Sequence, residues 1–499
     1  MNDNKLNISI SRNCFILFSV FLLIFQCVMF FIDRGDGQDS TYSVFFILTF
    51  IQLIFYFIIG INRENLIFTC WIRPSNIFIL SLLIVNLQIL LNSYLGLDSI
   101  SAYLGTDKYS QFTGKTLIFG CIGINAFLIG NIRKIPPKQH KEYGSPSGVL
   151  IWVVLSIIIF ILWFINIDLL SFITGMDYQG SGAADREISS FSIFETLFDV
   201  FVTITISIIT RNNILEHKRD WAIIKYIKSI PLSFLAVVCI YIILRLLSGD
   251  RGQALYMGML FFFSYIIVSG KKIRLAYLVL LISLGAFTMT TLNVVRGFRN
   301  PNETFSQKIE RAFNSMSDGQ EIKTISPLTH ELANSVNCNF IAIHDIDRGI
   351  TDFMLGAYNA CGLIIGIPGS NRISQALFDL NMYRYATSEY VTISFSGENY
   401  QIGLGTTVLV DFFLDFGILG VIFGMLLGGM LYKLIDSSII NKPTNLFLII
   451  IVLKFASMAI YIPRASFAFV GCRIIYIFIV YLVISVLAKP LRKISNKLI

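Results

Sequence analysis

Val408 to Tyr432 reads VLVDFFLDFGILGVIFGMLLGGMLY, and Asp411 and Asp415 are its only acidic or basic residues. A bilayer's hydrocarbon core is about 30 Å thick, and a helix needs about 20 apolar residues to cross it. This stretch therefore predicts a transmembrane helix. Similar runs lie on both sides of it: Cys14–Ile32, Val44–Ile61, Ile77–Leu95, Thr116–Ile132, Val149–Leu170, Phe191–Ile209, Ile230–Leu247, Ala254–Val268, Leu275–Val295, Leu446–Ile462 and Phe467–Leu487. The expected fold is an all-α polytopic integral membrane protein of about twelve transmembrane helices. Composition agrees, with 55% hydrophobic and 14% charged residues and a mean hydropathy of +0.71. A soluble chain would carry nearer a quarter charged residues.

The connections set the orientation. With the N-terminus inside, alternate short loops and both tails hold more than half of the 39 lysines and arginines. Arg133, Lys134, Lys138 and Lys141 fill one such loop, and Lys489, Arg492, Lys493 and Lys497 the C-terminal tail. This positive-inside bias predicts two cytoplasmic termini. Lys5 and Arg12 precede a first apolar run too long for a signal-peptide core, so a retained first span is expected. The net charge of +8 comes from these short loops and does not indicate nucleic-acid binding. Three regions follow: nine helices over 1–295, one large outer loop over 296–407 between helices nine and ten, and three helices over 408–499. Within the loop, Leu355–Pro368 is apolar but too short to cross, which suggests a re-entrant or interfacial helix. Cys338 and Cys361 are the loop's two cysteines and a candidate disulfide.

Ionisable residues inside the spans gather toward the outer side. Among them are Glu195 and Asp199, Arg245, Asp411 and Asp415, Lys454, and Arg473. An unpaired charge in hydrocarbon costs at least about 2.5 kcal/mol, so these groups should pair or line an outward-opening polar cavity. Outside span seven stands Ser248-Gly249-Asp250-Arg251-Gly252, where glycines flank an arginine. Backbone amides and a guanidinium can there meet a phosphate together. A tight helical hairpin also needs glycine. Arg464, Arg372 and Arg384 are further outer arginines.

These features resemble the O-antigen polymerases, the Wzy family of oligosaccharide repeat-unit polymerases. The resemblance rests on Ser248–Gly252, on Gly403-Leu404-Gly405-Thr406-Thr407 leading into Asp411–Gly420, and on a long outer loop before the last three spans. It implies work at the periplasmic face of a bacterial inner membrane, on repeat units carried by undecaprenyl pyrophosphate. The growing chain would pass to a fresh lipid-linked unit, with lipid pyrophosphate as the leaving group. Arg251, Arg464, Arg384, Arg372 and Arg245 are then candidates for holding that pyrophosphate. Glu398 and His330 are candidates for the catalytic base. The resemblance implies no metal or other cofactor; its partners would be the lipid-linked oligosaccharide, membrane lipid and a chain-length regulator.

Alternatives remain at this point. In the related O-antigen ligases a His-Asn pair precedes the matching span, where this chain has Thr406-Thr407. A lipid-linked-oligosaccharide flippase is the non-enzyme alternative, although such transporters usually show two related halves. Asp33, Asp36 and Asp39 resemble the acidic first loop of lipid-sugar glycosyltransferases, and Asp345-Ile346-Asp347 resembles a metal-binding D-x-D.

Overall fold

The computed structural model describes residues 2–33, 39–62, 73–97, 107–132, 148–167, 190–216, 223–248, 251–269, 329–367, 369–398, 403–441 and 444–495, with 100, 169, 325 and 326. Among these residues the chain is all helical. Eight helices are long and apolar enough to cross a membrane, and three shorter apolar ones cover Leu150–Ile165, Leu232–Ser248 and Leu446–Ser457. The expected span Leu275–Val295 and Asp36 lie outside the described residues. The protein is a polytopic membrane protein.

In chain order the helices are α1 (Asn2–Ile32), α2 (Asp39–Asn62), α3 (Pro74–Tyr94), α4 (Thr113–Ile132), α5 (Leu150–Ile165), α6 (Ser190–Leu215), α7 (Leu232–Ser248) and α8 (Arg251–Ser269). Four short helices follow: α9 (Val336–Asp347), α10 (Ala357–Ile364), α11 (Ser370–Phe378) and α12 (Thr387–Ser396). The chain closes with α13 (Val408–Asn441), α14 (Leu446–Ser457) and α15 (Phe467–Ser495).

Polar residues hold the bundle together from within. The Gln52 side-chain amide donates to Ser19 Oγ at 2.8 Å and also to Asn125, whose own amide reaches Gln26 at 3.1 Å. Tyr56 donates to Asn131 Oδ1 at 2.6 Å, and Asn131 donates to the Gly429 carbonyl at 3.2 Å. Lipid tails are as apolar as leucine, so helix association relies on such bonds and on close backbone approach. Small residues permit that approach where α4 crosses α13: a Cβ on Gly130 would strike the Leu426 carbonyl.

The run that decides the fold is not one straight span. Phe416 (φ −138°, ψ 15°) and Gly417 (φ 64°, ψ −155°) break α13 into limbs 408–415 and 418–441. Twelve residues of straight helix cover about 18 Å. Yet a Cβ on Gly424 would lie 2.5 Å from the Phe412 ring, so the first limb folds back against the second. The expectation of a single helix over Val408–Tyr432 is thereby corrected. Glycine permits the break, because the backbone at Gly417 occupies a region essentially reserved for glycine. Loop backbone satisfies two carbonyls freed at the break: Met354 N–H donates to Leu414 O and Leu355 N–H to Asp415 O, both at 2.9 Å.

A Cβ at position 417 would also approach the Phe353 ring to 3.0 Å. Gly417→Ala is therefore expected to lower stability by about 1–3 kcal/mol, read as a fall in melting temperature in detergent. An unchanged melting temperature would mean the break is absent in solution.

The described part of the 296–407 segment packs onto the bundle. Asn339 on α9 donates to Asn86 Oδ1 on α3 at 2.8 Å and accepts from the Thr407 hydroxyl at 2.6 Å. Helix α10 rests on α15, where Gly366 meets the Cys472 backbone so closely that a Cβ would lie 2.6 Å from its carbonyl oxygen. Cys338 and Cys361 are both free thiols, so the candidate disulfide is not formed. They sit on different helices, α9 and α10, and Cys338 is fully buried with its Sγ 3.6 Å from the Gly405 carbonyl.

Candidate functional site

Two charged clusters occupy the same end of the bundle, and the connector from Met458 to Ser466 joins them. The first lies between α6, α7, α8, α14 and α15. Asp199 and Lys454 form an ion pair with Nζ–O distances of 2.7 and 2.9 Å, at only 2% and 1% exposure. The ammonium also stands 4.8 Å from the Tyr256 ring centre. One turn before Asp199 on α6, Glu195 pairs with Arg245 near the C-terminus of α7. The Arg245 guanidinium faces the rings of Trp163 and Tyr241 at 5.7 and 5.5 Å. Tyr241 in turn donates to Glu195 at 3.3 Å. Arg473 on α15 is within electrostatic reach of Asp199 and Glu195.

The second cluster sits at the α13 break. Asp411 accepts hydroxyl hydrogen bonds from Thr387, from Thr406 at 3.1 Å and from Ser466. Asp415 lies at the N-terminus of α10 and accepts the N–H groups of Tyr358 and Asn359 at 3.1 and 3.0 Å. The Asn359 side chain adds a bond of 2.7 Å. The carboxylate of one helix thus caps another, complementing its orphan amides and dipole. Both carboxylates are satisfied by amides of α10 and by hydroxyls of α12, of the stretch before α13 and of the connector before α15. They tie the broken helix to α10 and α12.

A third group lies beside it on α9 and α12. Asp345 is fully buried; His344 Nδ1 is 2.8 Å from its Oδ1, and the Tyr390 hydroxyl donates to Oδ2 at 2.9 Å. Ser394 donates there as well. Burial and the Asp345 charge push the Tyr390 phenol well up, so it remains a donor. Asp347 instead pairs with Lys115. The two carboxylates of the D-x-D therefore have separate partners.

Residues 14–493 match the family described as O-antigen polysaccharide polymerase Wzy. The chain belongs to that family. No curated protein and no solved structure matches it. Its general role is therefore that of a polymerase of O-antigen polysaccharide, in a multi-pass bacterial membrane protein.

In this Wzy protein the residues singled out from sequence are unevenly distributed. Arg464 is half-buried on the 3₁₀ turn Ile462–Arg464, with its guanidinium 5.8 Å from the Tyr461 ring and within electrostatic reach of Cys338. Arg251 is the first residue of α8. Arg372 and Arg384 are exposed on α11 and on the 3₁₀ turn Met382–Tyr385. Glu398 is exposed on the turn after α12. His330, half-buried, starts a single helical turn, His330–Ala333, that packs on α3. Sequence reasoning missed Thr387, Asn359 and Ser466 around the two aspartates. Only the Thr406-Thr407 pair carried any signal, since hydroxyls next to an in-span acid are natural partners for it.

Burial holds the Cys338 thiol up at about 12, with the Arg464 charge opposing. At pH 8 it should resist a maleimide in the folded protein and react after denaturation, as followed by peptide mass spectrometry. Rapid modification of native protein would contradict its burial.

Proposed function

We propose that this Wzy protein transfers the growing O-antigen chain from undecaprenyl pyrophosphate onto a fresh lipid-linked repeat unit, at the periplasmic face of the inner membrane. In this reading both termini are cytoplasmic. A hydroxyl of the incoming unit attacks the anomeric carbon, the glycosidic bond forms, and the bond to lipid pyrophosphate breaks. The leaving group is already an anion, so the protein must supply positive charge more than a proton. Arginine forks suit a diphosphate, and fixed cations at a membrane boundary stabilise charge that develops there.

The observation that carries the reading is the family match across nearly the whole chain. The gathering of Arg245, Lys454, Arg464 and Arg473 with both acidic clusters at one end of the bundle supports placing the reaction there. We assign pyrophosphate binding to Arg251 and Arg464, with the exposed Arg384 and Arg372 and the Glu195-paired Arg245 as further contributors. Asp199, Lys454, Arg473, Asp411 and Asp415 form the polar framework. Glu398 is the preferred base because it is exposed and can reach an acceptor hydroxyl; His330 is the second candidate. Asp411 is less suited, being 4% exposed and already engaged by hydroxyl donors. A chain-length regulator is a further expected partner.

The test is purified protein in vesicles with synthetic undecaprenyl-pyrophosphate-linked repeat units. A ladder of longer glycans with release of undecaprenyl pyrophosphate is expected. Failure to extend the units by a protein that melts cooperatively would overturn the proposal.

A further inference from the structure

Helix α11 is inside-out. Its buried residues are polar: Asn371, whose Oδ1 accepts the Met382 N–H at 2.8 Å, and Ser374. Its apolar residues Ile373, Leu377 and Phe378 are 58%, 68% and 75% exposed. Such a pattern is unfavourable in water, where apolar area is what folding removes. The longer limb of α13 shows the same reversal at Leu419, Phe423 and Leu427, on a helix long and apolar enough to cross a membrane.

Position points the same way. Helix α10, immediately before α11, lies along the membrane helix α15: Leu363 contacts Gly471, and Gly366 meets the Cys472 backbone. Ile364 and Ile367 continue the exposed apolar surface toward α11. The chain turns into α11 at Gly369, which has φ 82°. At about 100° per residue, Ile373, Ala376 and Leu377 share one face of α11, and Arg372 stands at its edge. An apolar face flanked by a basic side chain is the arrangement of a helix lying in a membrane surface. A long cationic side chain there extends toward the phosphates while its stem stays in apolar surroundings.

We propose that α11 lies in the plane of the bilayer surface, with Ile373 and Leu377 entering the acyl region and Arg372 at the level of the lipid phosphates. The partner of this face is the bilayer itself. Its consequence for catalysis, which rests on the proposed function, is that the exposed Arg372 is held at the depth of a lipid-borne diphosphate.

The full-length protein can be placed in vesicles of phosphatidylethanolamine and phosphatidylglycerol doped with a lipid carrying a diazirine on its acyl chain. After irradiation, peptide mass spectrometry should find lipid adducts on Ile373 and Leu377, as on Leu419–Leu427 of α13. In the double variant Ile373→Ser and Leu377→Ser, adducts on α11 should fall several-fold while those on α13 persist. Labelling of α13 with none on wild-type α11 would overturn the proposal. So would a protein cross-link from α11 to a second copy of the chain in place of lipid adducts. Polymer formation is not read in this experiment, so its failure is separate from failure of the proposed function.

Discussion

Replacing Lys454 by methionine should be among the most damaging single changes to stability. The ammonium is the direct partner of a carboxylate that is 2% exposed, and methionine cannot neutralise it. Breaking a buried ion pair by removing one member costs about 3–5 kcal/mol, because the other is left as an uncompensated charge. Arg473, also within reach of Asp199, lacks the two short contacts that Lys454 makes. Thermal unfolding in detergent should show a large loss for Lys454→Met. Much of it should be regained in the double variant Asp199→Asn with Lys454→Met, which leaves no lone charge. Equal melting of the single variant and the wild type would mean that water reaches this pair freely.

Arg251→Ala should abolish long glycans while leaving insertion and melting temperature unchanged. The residue heads α8 at the charged end of the bundle. Loss of one preorganised partner for a developing anion slows a reaction by about 10²–10³-fold. Lysine keeps the charge but not the bidentate fork, so Arg251→Lys should fall between alanine and wild type. The readouts are the glycan ladder in cells and the initial rate in vesicles, with protein levels matched by immunoblot. A wild-type ladder from Arg251→Ala would exclude Arg251 from the site.

Helix content and most span positions could be read from the chain. Runs such as Phe467–Leu487 and Val44–Ile61 are so apolar that no context changes their preference for lipid. The break in α13 could not. Gly417, Gly420, Gly424, Gly428 and Gly429 all occur in one run, and glycine is ordinary in membrane helices. Only packing against Phe353 and the 354–355 backbone selects Gly417 as the residue with positive φ. The in-span charges were visible as an expensive set of acids and bases that should pair, but which acid meets which base was not. Asp199 and Lys454 stand 255 positions apart. Asp415 looked like a cavity residue by its location alone; capping α10 became visible only once the loop had folded onto the bundle.

Residence in a membrane, the helical fold and the list of costly charges were determined by the sequence alone, because transfer to lipid is a sum over local residues. Which charge answers which, where one helix turns back, and which face of α11 looks outward were decided by the tertiary structure. Those outcomes depend on how distant helices are ordered and rotated against one another, and no local sum contains that.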